Sequence, residues 1–217
     1  MAETEFRTYR KTKSASFRKT AEEFGGLSNM APGFPLLVEG IRIRTAEALY
    51  QACRFPHMPE VQELIINEGS PMTAKMRSKP YREQSRPDWD EVRIAIMKWC
   101  LRIKLAQNCT SFGDLLRKTG DRPIVEDSRK DDFWGAKIGH DDEMYGRNVL
   151  GRLLMELREK LITNPDELIV VLPVKISRFE LFEQKIGTIR ADIGASNAHG
   201  SRHDDEPEDE RQLKMLR

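Results

Sequence analysis

Carboxylates, an amine and indoles recur in this chain at positions where short local elements would hold them. Between Ile124 and Arg158 lies a polar segment containing Glu126, Asp131, Asp132, Trp134, Gly135, Gly146, Asn148 and Gly151. It is bracketed by a short apolar piece, Ile124-Val125, and by a helical stripe of Leu150, Leu153, Leu154, Leu157 and Leu161. Loops held between rigid apolar elements are where chemistry concentrates. Glu47 falls at a helix start, and Lys75 lies on a short helix with Lys79 four residues on, where like charges repel. Two carboxylates, Glu47 and Asp131, beside Trp134 are the equipment of a glycosidic-bond hydrolase. One carboxyl protonates the leaving group or activates water, and the other stabilises positive charge developing on the sugar. The indole would stack on a base or sugar, and Lys75 adds a candidate nucleophilic amine. The helix start near Asn148 and Gly151 offers backbone N–H groups to a phosphate. A solvated loop with capping side chains, and a solvated basic face, fit the same residues; spacing alone does not separate these alternatives.

These side chains have to be positioned by the elements around them. Residues 1–21, rich in Thr, Lys, Arg and Ser, read as a flexible segment that contributes an edge strand around 16–19. Leu36-Leu37-Val38, Glu39-Gly40 and Ile41-Arg42-Ile43-Arg44 read as a β-hairpin with a two-residue turn. Thr45 caps a helix to Phe55 whose apolar stripe is Ala46, Leu49 and Cys53. A second helix carries Val61, Leu64 and Ile65. Ser70-Pro71 starts the short Lys75 helix. Val92, Ile96, Trp99, Ile103 and Ala106 recur at alternating spacings of four and three, which predicts a long central packing helix ending near Asn108. A shorter helix with Phe112, Leu115 and Leu116 follows. Leu168 to Leu172 is β-branched and strand-like, and 177–183 reads as helical. The expected architecture is α+β, a predominantly α-helical single domain over 22–192 with a small β-hairpin and short sheet, followed by a disordered acidic tail over 193–217.

With 36 basic and 35 acidic residues among 217, no overall basic field advertises nucleic-acid binding. Three cysteines lack metal-ligand spacing, so Cys53 and Cys100 read as buried thiols, and no metal or cofactor is expected. No apolar run is long enough to cross a membrane and no secretory leader is evident, which makes the expected location cytoplasmic. Oligomeric state is left open.

The chain resembles the NADAR (YbiA-like) family over Phe24 to Lys160. The residues that carry the resemblance are Phe24 through Asn29, FGGLSN; Thr45, Glu47, Tyr50, Gln51 and Ala52; Pro71, Ala74 and Lys75; and Arg86, Asp88 and Trp89. To these are added Val125, Glu126, Ser128, Asp131, Trp134 and Gly135, and then Gly146, Asn148, Leu150, Gly151, Leu154, Met155 and Arg158. Two departures stand out: Ala48 replaces the histidine that usually follows the glutamate, and Ser78 and Lys79 replace a Gly-Arg pair. The resemblance implies cleavage of an N-glycosidic bond. The implied substrate is ADP-ribosylated guanine in nucleic acid or nucleotide, with a phosphoribosylamino-pyrimidine of riboflavin biosynthesis or a non-catalytic ADP-ribose or NAD reader as alternatives. By the same resemblance Lys75 would form a Schiff base with the sugar while Glu47 and Asp131 move protons. Asn29, Tyr50, Trp89, Trp134, Gly135, Asn148 and Gly151 would contact substrate, the last three by letting backbone approach a pyrophosphate.

Overall fold

The computed structural model describes residues 5–191; the expected acidic tail lies outside the described residues. Strands β1 (Arg7–Arg10) and β2 (Ala15–Phe17) come first, then the hairpin β3 (Leu36–Val38) and β4 (Ile41–Ile43). Three short helices follow, α1 (Ala46–Ala52), α2 (Pro59–Ile66) and α3 (Pro71–Ser78), and then α4 (Trp89–Gln107) and α5 (Cys109–Lys118). The chain continues through β5 (Ile124–Glu126), β6 (Lys137–Ile138), β7 (Glu143–Gly146) and α6 (Val149–Thr163). It closes with the two-residue strands β8 (Val170–Val171), β9 (Glu180–Leu181), β10 (Gln184–Lys185) and β11 (Ile189–Arg190). This is the expected helix-dominated α+β architecture.

α4 runs through the middle, in contact with α1, α5, α6, β3 and β8. Its stripe of Val92, Ile96, Trp99, Ile103 and Ala106 is buried throughout, as is the α6 stripe from Leu150 to Leu161. These two surfaces supply much of the apolar area removed from water, which is the main term favouring the fold. The β3–β4 hairpin pairs Val38 with Ile41, and its turn places Glu39 (φ 48°) and Gly40 (φ 78°) in the left-handed region, as a primed two-residue turn requires. Thr45 Oγ1 accepts the Ala48 amide at 3.3 Å and so caps α1.

Two segments differ from expectation. The start of the chain, expected to be flexible with an edge strand around 16–19, is paired into sheets over residues 7–17; β2 overlaps the expected strand and β1 was not expected. β1 is antiparallel to β7, with Tyr9 opposite Met144, and β2 is parallel to β5, with Ala15 opposite Ile124. Tyr9 joins Val125, Ala136 and Met144 in a small second core. Residues 177–183, expected to be helical, form the β9 arm of a hairpin with Phe182 (φ 51°) and Glu183 (φ 63°) at its turn. The reason is burial of Phe179 and Leu181 at a spacing of two, together with Gln62, which accepts the Phe182 amide at 2.7 Å and donates to the Glu180 carbonyl at 3.2 Å. A strand-like contact available to the backbone overrides weak helix propensity. The parallel β2–β5 pair fixes the strand that leads into the site.

Candidate active site

A cleft of about 370 Å³ opens between α1, α3, the start of α4 and the loop after β5. Asn29, Glu47, Tyr50, Lys75, Trp89, Asp131 and Trp134 all line it, so residues scattered over more than a hundred positions of sequence meet. Gly135, Asn148 and Gly151 do not line it. They lie beneath it, for the following reason.

The loop from Asp127 to Ala136 is closed at its neck: Ala136 N–H donates to the Glu126 carbonyl at 2.8 Å and Ser128 N–H to the Ala136 carbonyl at 2.9 Å. Its carbonyls then take the amides that open α6. Arg147 donates to Asp132 (2.7 Å), Asn148 to Gly135 (3.1 Å), Val149 to Phe133 (2.9 Å) and Leu150 to Trp134 (3.0 Å). The amides of Asn148, Val149 and Leu150 at this helix start, where a phosphate was expected, are therefore already occupied. Asn148 is fully buried with φ 48°. Its side chain accepts the Glu126 amide at 3.2 Å and donates to the Ile124 carbonyl at 2.8 Å, continuing the β5 ladder. A Cβ on Gly151 would collide with that same Ile124 carbonyl, and one on Gly135 with the Glu126 carbonyl. These three residues fix the end of β5 and lie outside the lining of the cleft.

What they fix is Glu126, which reasoning from sequence placed in the segment but not in the site. Burial pushes its carboxyl up to about 7, the charges of Glu47 and Asp131 add to the effect, and Lys75 opposes it. The signal was present. In a strand the side chains at i and i+2 share a face, so Glu126 lies on the face of Ile124, which belongs to the main core.

Asp131 has a second duty. Its Oδ1 accepts the amides of Phe133 and Trp134, both at 2.9 Å, and its own amide donates to Ser128 Oγ at 3.0 Å. One carboxylate oxygen is thus used to hold the indole-bearing turn.

Glu47 is buried on α1; Gln51 Nε2 donates to its Oε1 at 2.9 Å. Its amide donates to the Asn29 carbonyl at 3.1 Å, which ties the FGGLSN turn to the helix start. Ser78, one of the two departures on α3, is buried with its Oγ 3.3 Å from Gln51 Oε1 and 2.8 Å from the Lys75 carbonyl, linking α3 to the same network. Lys79, the other departure, is exposed and outside the cleft, so Lys75 enters it without its neighbour. Asn29 is 4% exposed; its Nδ2 lies 2.6 Å from Met97 Sδ, while its Oδ1 has no partner. Lys104 is fully buried beneath this turn and donates to the carbonyls of Gly26 (2.7 Å) and Ser28 (2.9 Å); desolvation brings its ammonium down to about 7.

The wall is aromatic. Tyr50 packs at 5.0 Å on Trp89 and edge-on at 5.7 Å to Trp134, which meets Phe133 edge-on at 5.1 Å. Arg54 lies over Trp89 (4.6 Å) and Arg93 over Phe133 (4.0 Å). Both arginines line the cleft with Arg82, and reasoning from sequence missed all three. The cleft thus offers an amine, three carboxylates, aromatic faces and a cationic side.

Among the described residues no helix is long and apolar enough to cross a membrane. A family profile described as "NADAR domain" matches residues 16–162. The chain is 34% identical over 146 residues to the N-glycosidase YbiA of Escherichia coli, covering 67% of this chain and 87% of that protein. It is 32% identical over 152 residues to an N-glycosidase of Nostoc punctiforme, covering 67% and 90%. A riboflavin biosynthesis protein of Vibrio vulnificus is 36% identical over 146 residues, covering 67% of this chain, which spans 38% of that longer protein. The NMR structure of the Escherichia coli protein YbiA is similar with a TM-score of 0.60 and 33% identity, over 70% of this chain and 86% of that one.

Proposed function

The chain belongs to the NADAR domain family, and from that premise we propose that it is an N-glycosidase that removes ADP-ribose from modified guanine, through a Schiff base on Lys75. The observation that carries this reading is the meeting of Lys75, Glu47 and a carboxyl that holds its proton near neutrality, Glu126, in one aromatic-walled cleft. A base is a poor leaving group unless it is protonated as the bond breaks, and an acid whose midpoint lies near the working pH is suited to that task.

In the proposed sequence the neutral Lys75 amine bonds to the anomeric carbon as the carbon–nitrogen bond to the base breaks. The electron pair leaves with the base, which takes the Glu126 proton. The aminosugar opens to the Schiff base when the ring oxygen gains a proton from the lysine nitrogen through Glu126. Water, deprotonated by the Glu126 carboxylate, adds to the imine carbon, and collapse returns the free amine and the sugar aldehyde. Buried Glu47, held by Gln51, offers negative charge to the cationic intermediate. Asp131 braces the turn that presents Trp134. The aromatic face of Trp134 would stack on the base, a contact worth about 1–3 kcal/mol, while Trp89, covered by Arg54 and packed on Tyr50, supports that wall.

A phosphoribosylamino-pyrimidine is the second reading. About 370 Å³ accommodates one ribose, its base and a phosphate, and the Vibrio vulnificus relative is named for riboflavin biosynthesis. Incubating the protein with ADP-ribosylated guanosine and with the pyrimidine substrate, and weighing the products by mass spectrometry, separates the two. Guanine or guanosine regenerated together with free ADP-ribose supports the first, and ribose 5-phosphate supports the second. Neither product in either assay refutes catalysis and leaves a ligand reader.

A further inference from the structure

We infer that Arg54, Arg82 and Arg93 form a phosphate clamp that reads the 5′-phosphate end of the ribosyl substrate; this rests on the N-glycosidase reading and names the part of the substrate that its cationic side holds. Arg54 and Arg93 terminate one continuous arc of rings: Arg54 lies on Trp89, Trp89 packs against Tyr50, Tyr50 against Trp134, Trp134 against Phe133, and Phe133 lies under Arg93. The arc bends back on itself, so its two guanidinium ends come close enough that the positive charges of Arg82 and Arg93 both oppose that of Arg54. Like charges brought together beside a cleft are costly unless an anion joins them. Nε of Arg54 and Nε of Arg93 are shielded from solvent and lack hydrogen-bond partners. The solvent-facing carboxylate of Asp90 lies 3.5 Å from Arg93 Nε without completing a hydrogen bond, and its charge offsets only part of the repulsion that Arg82 and Arg93 exert on Arg54. Unfilled donors held flat on aromatic faces are prepared for a phosphate oxygen, which guanidinium groups bind in a planar, charge-assisted way.

Glu126 lies within reach of the charges of Glu47, Asp131 and Lys75, so the three carboxyl groups gather around the amine in the same cleft. Negative charge on Glu47 and Asp131 repels a phosphate and favours a cationic sugar, which leaves the arginines as the place for the phosphate and Lys75 for the anomeric carbon. The unpartnered, buried Oδ1 of Asn29, also in the cleft, is an acceptor and suits a ribose hydroxyl or a base N–H. The ligand chemistry shared by both candidate substrates is a ribose esterified with phosphate at C5, as a monophosphate or as the near half of a diphosphate.

Calorimetric titration of the full-length protein with ribose, ribose 5-phosphate and ADP-ribose tests the clamp without turnover. Ribose 5-phosphate is expected to bind at least about tenfold tighter than ribose, because a charge-assisted hydrogen bond accounts for a factor of that order. Arg93→Gln and Arg54→Gln should each remove most of that preference and leave ribose affinity within about twofold. Arg82→Gln, at an exposed position on a short turn, serves as the variant least able to disturb folding; it should weaken phosphate binding at unchanged melting temperature. ADP-ribose about tenfold tighter than ribose 5-phosphate would assign a diphosphate to the clamp, and equal affinities a monophosphate; both support it. Equal binding of ribose and ribose 5-phosphate by the native protein overturns the inference, as does a phosphate preference that survives in the Arg54→Gln/Arg93→Gln double variant. Phosphate-selective binding in a protein that cleaves neither substrate would sink the catalytic reading alone.

Discussion

Replacing Glu126 by Gln should make the protein more stable and nearly inactive at once. In the folded chain burial and two neighbouring carboxylates raise this carboxyl from its ordinary 4.5 to about 7. At 1.36 kcal/mol per tenfold, charging Glu126 in the folded state costs about 3 kcal/mol more than charging it in the unfolded chain. Because the folded value is the higher one, the native state holds the extra proton between about pH 4.5 and 7, so stability falls as pH rises through that window and the penalty is complete above it. Gln keeps the shape and cannot ionise. The variant should therefore melt near the native protein at about pH 4 and several degrees above it at about pH 8, since 1 kcal/mol moves the midpoint of a chain this size by about 2–4 °C. Turnover should fall by about a hundredfold to ten-thousandfold, the usual contribution of a positioned proton donor. In the native protein the proton-donating form of Glu126 empties above about pH 7, and the inflection this puts in the profile of kcat/KM should vanish in Glu126→Gln. Scanning calorimetry at the two pH values and a pH–rate profile read all of this. A stability difference that does not change with pH, or an active Glu126→Gln protein, would refute the assignment of a raised, proton-donating carboxyl.

Lys75→Arg, which keeps the charge but not an amine able to form an imine, should abolish turnover, and borohydride should trap a sugar adduct on the native protein only; an adduct on the variant would move the nucleophile elsewhere. Trp134→Ala should raise KM about tenfold with a smaller effect on kcat, the size expected for one lost base stack, measured by steady-state kinetics. Gly151→Ala forces a Cβ against the Ile124 carbonyl and should destabilise the chain by about 2–4 kcal/mol in denaturant titration. Lys104→Met strands the Gly26 carbonyl and takes one of two donors from the Ser28 carbonyl, and should cost about 1–3 kcal/mol by the same measurement.

The helices were legible because their apolar stripes are long and regular: each predicted stripe position on α4 and α6 is buried. The β3–β4 hairpin was legible because Glu39-Gly40 is turn chemistry with one solution. Strand β1 and the strands of 177–190 were not legible, and β2 only as an expected edge strand around 16–19. All are two to four residues long; β1 and β2 pair with β7 and β5, far away in sequence, and the local β9–β10 hairpin has only two residues per arm. A strand this short carries too few alternations to show a period, and its pairing is decided by what the rest of the fold exposes.

The site divides along the same line. Lys75, Glu47, Asp131 and the aromatic residues were recoverable because compact local motifs surround them. Asn148 and Gly151 lie outside the cleft lining, and whether the donors of this helix start are free is what their residue types leave out. A helix start attracts an anion only while its first amides lack partners, and here the carbonyls of Asp132 through Gly135 have taken four in succession. An Asn in the left-handed region directly ahead of a helix that packs on a strand is itself the warning, since its side chain is then turned toward that strand. The arginines were missed for the opposite reason: Arg is common on surfaces and these three share no compact motif. Yet Tyr50 precedes Arg54, and Trp89 precedes Arg93, by four residues on helical segments, the spacing that puts both side chains on one face. The ring each arginine covers, Trp89 for Arg54 and Phe133 for Arg93, comes from another element, which is the part of the arrangement that spacing along one helix does not carry.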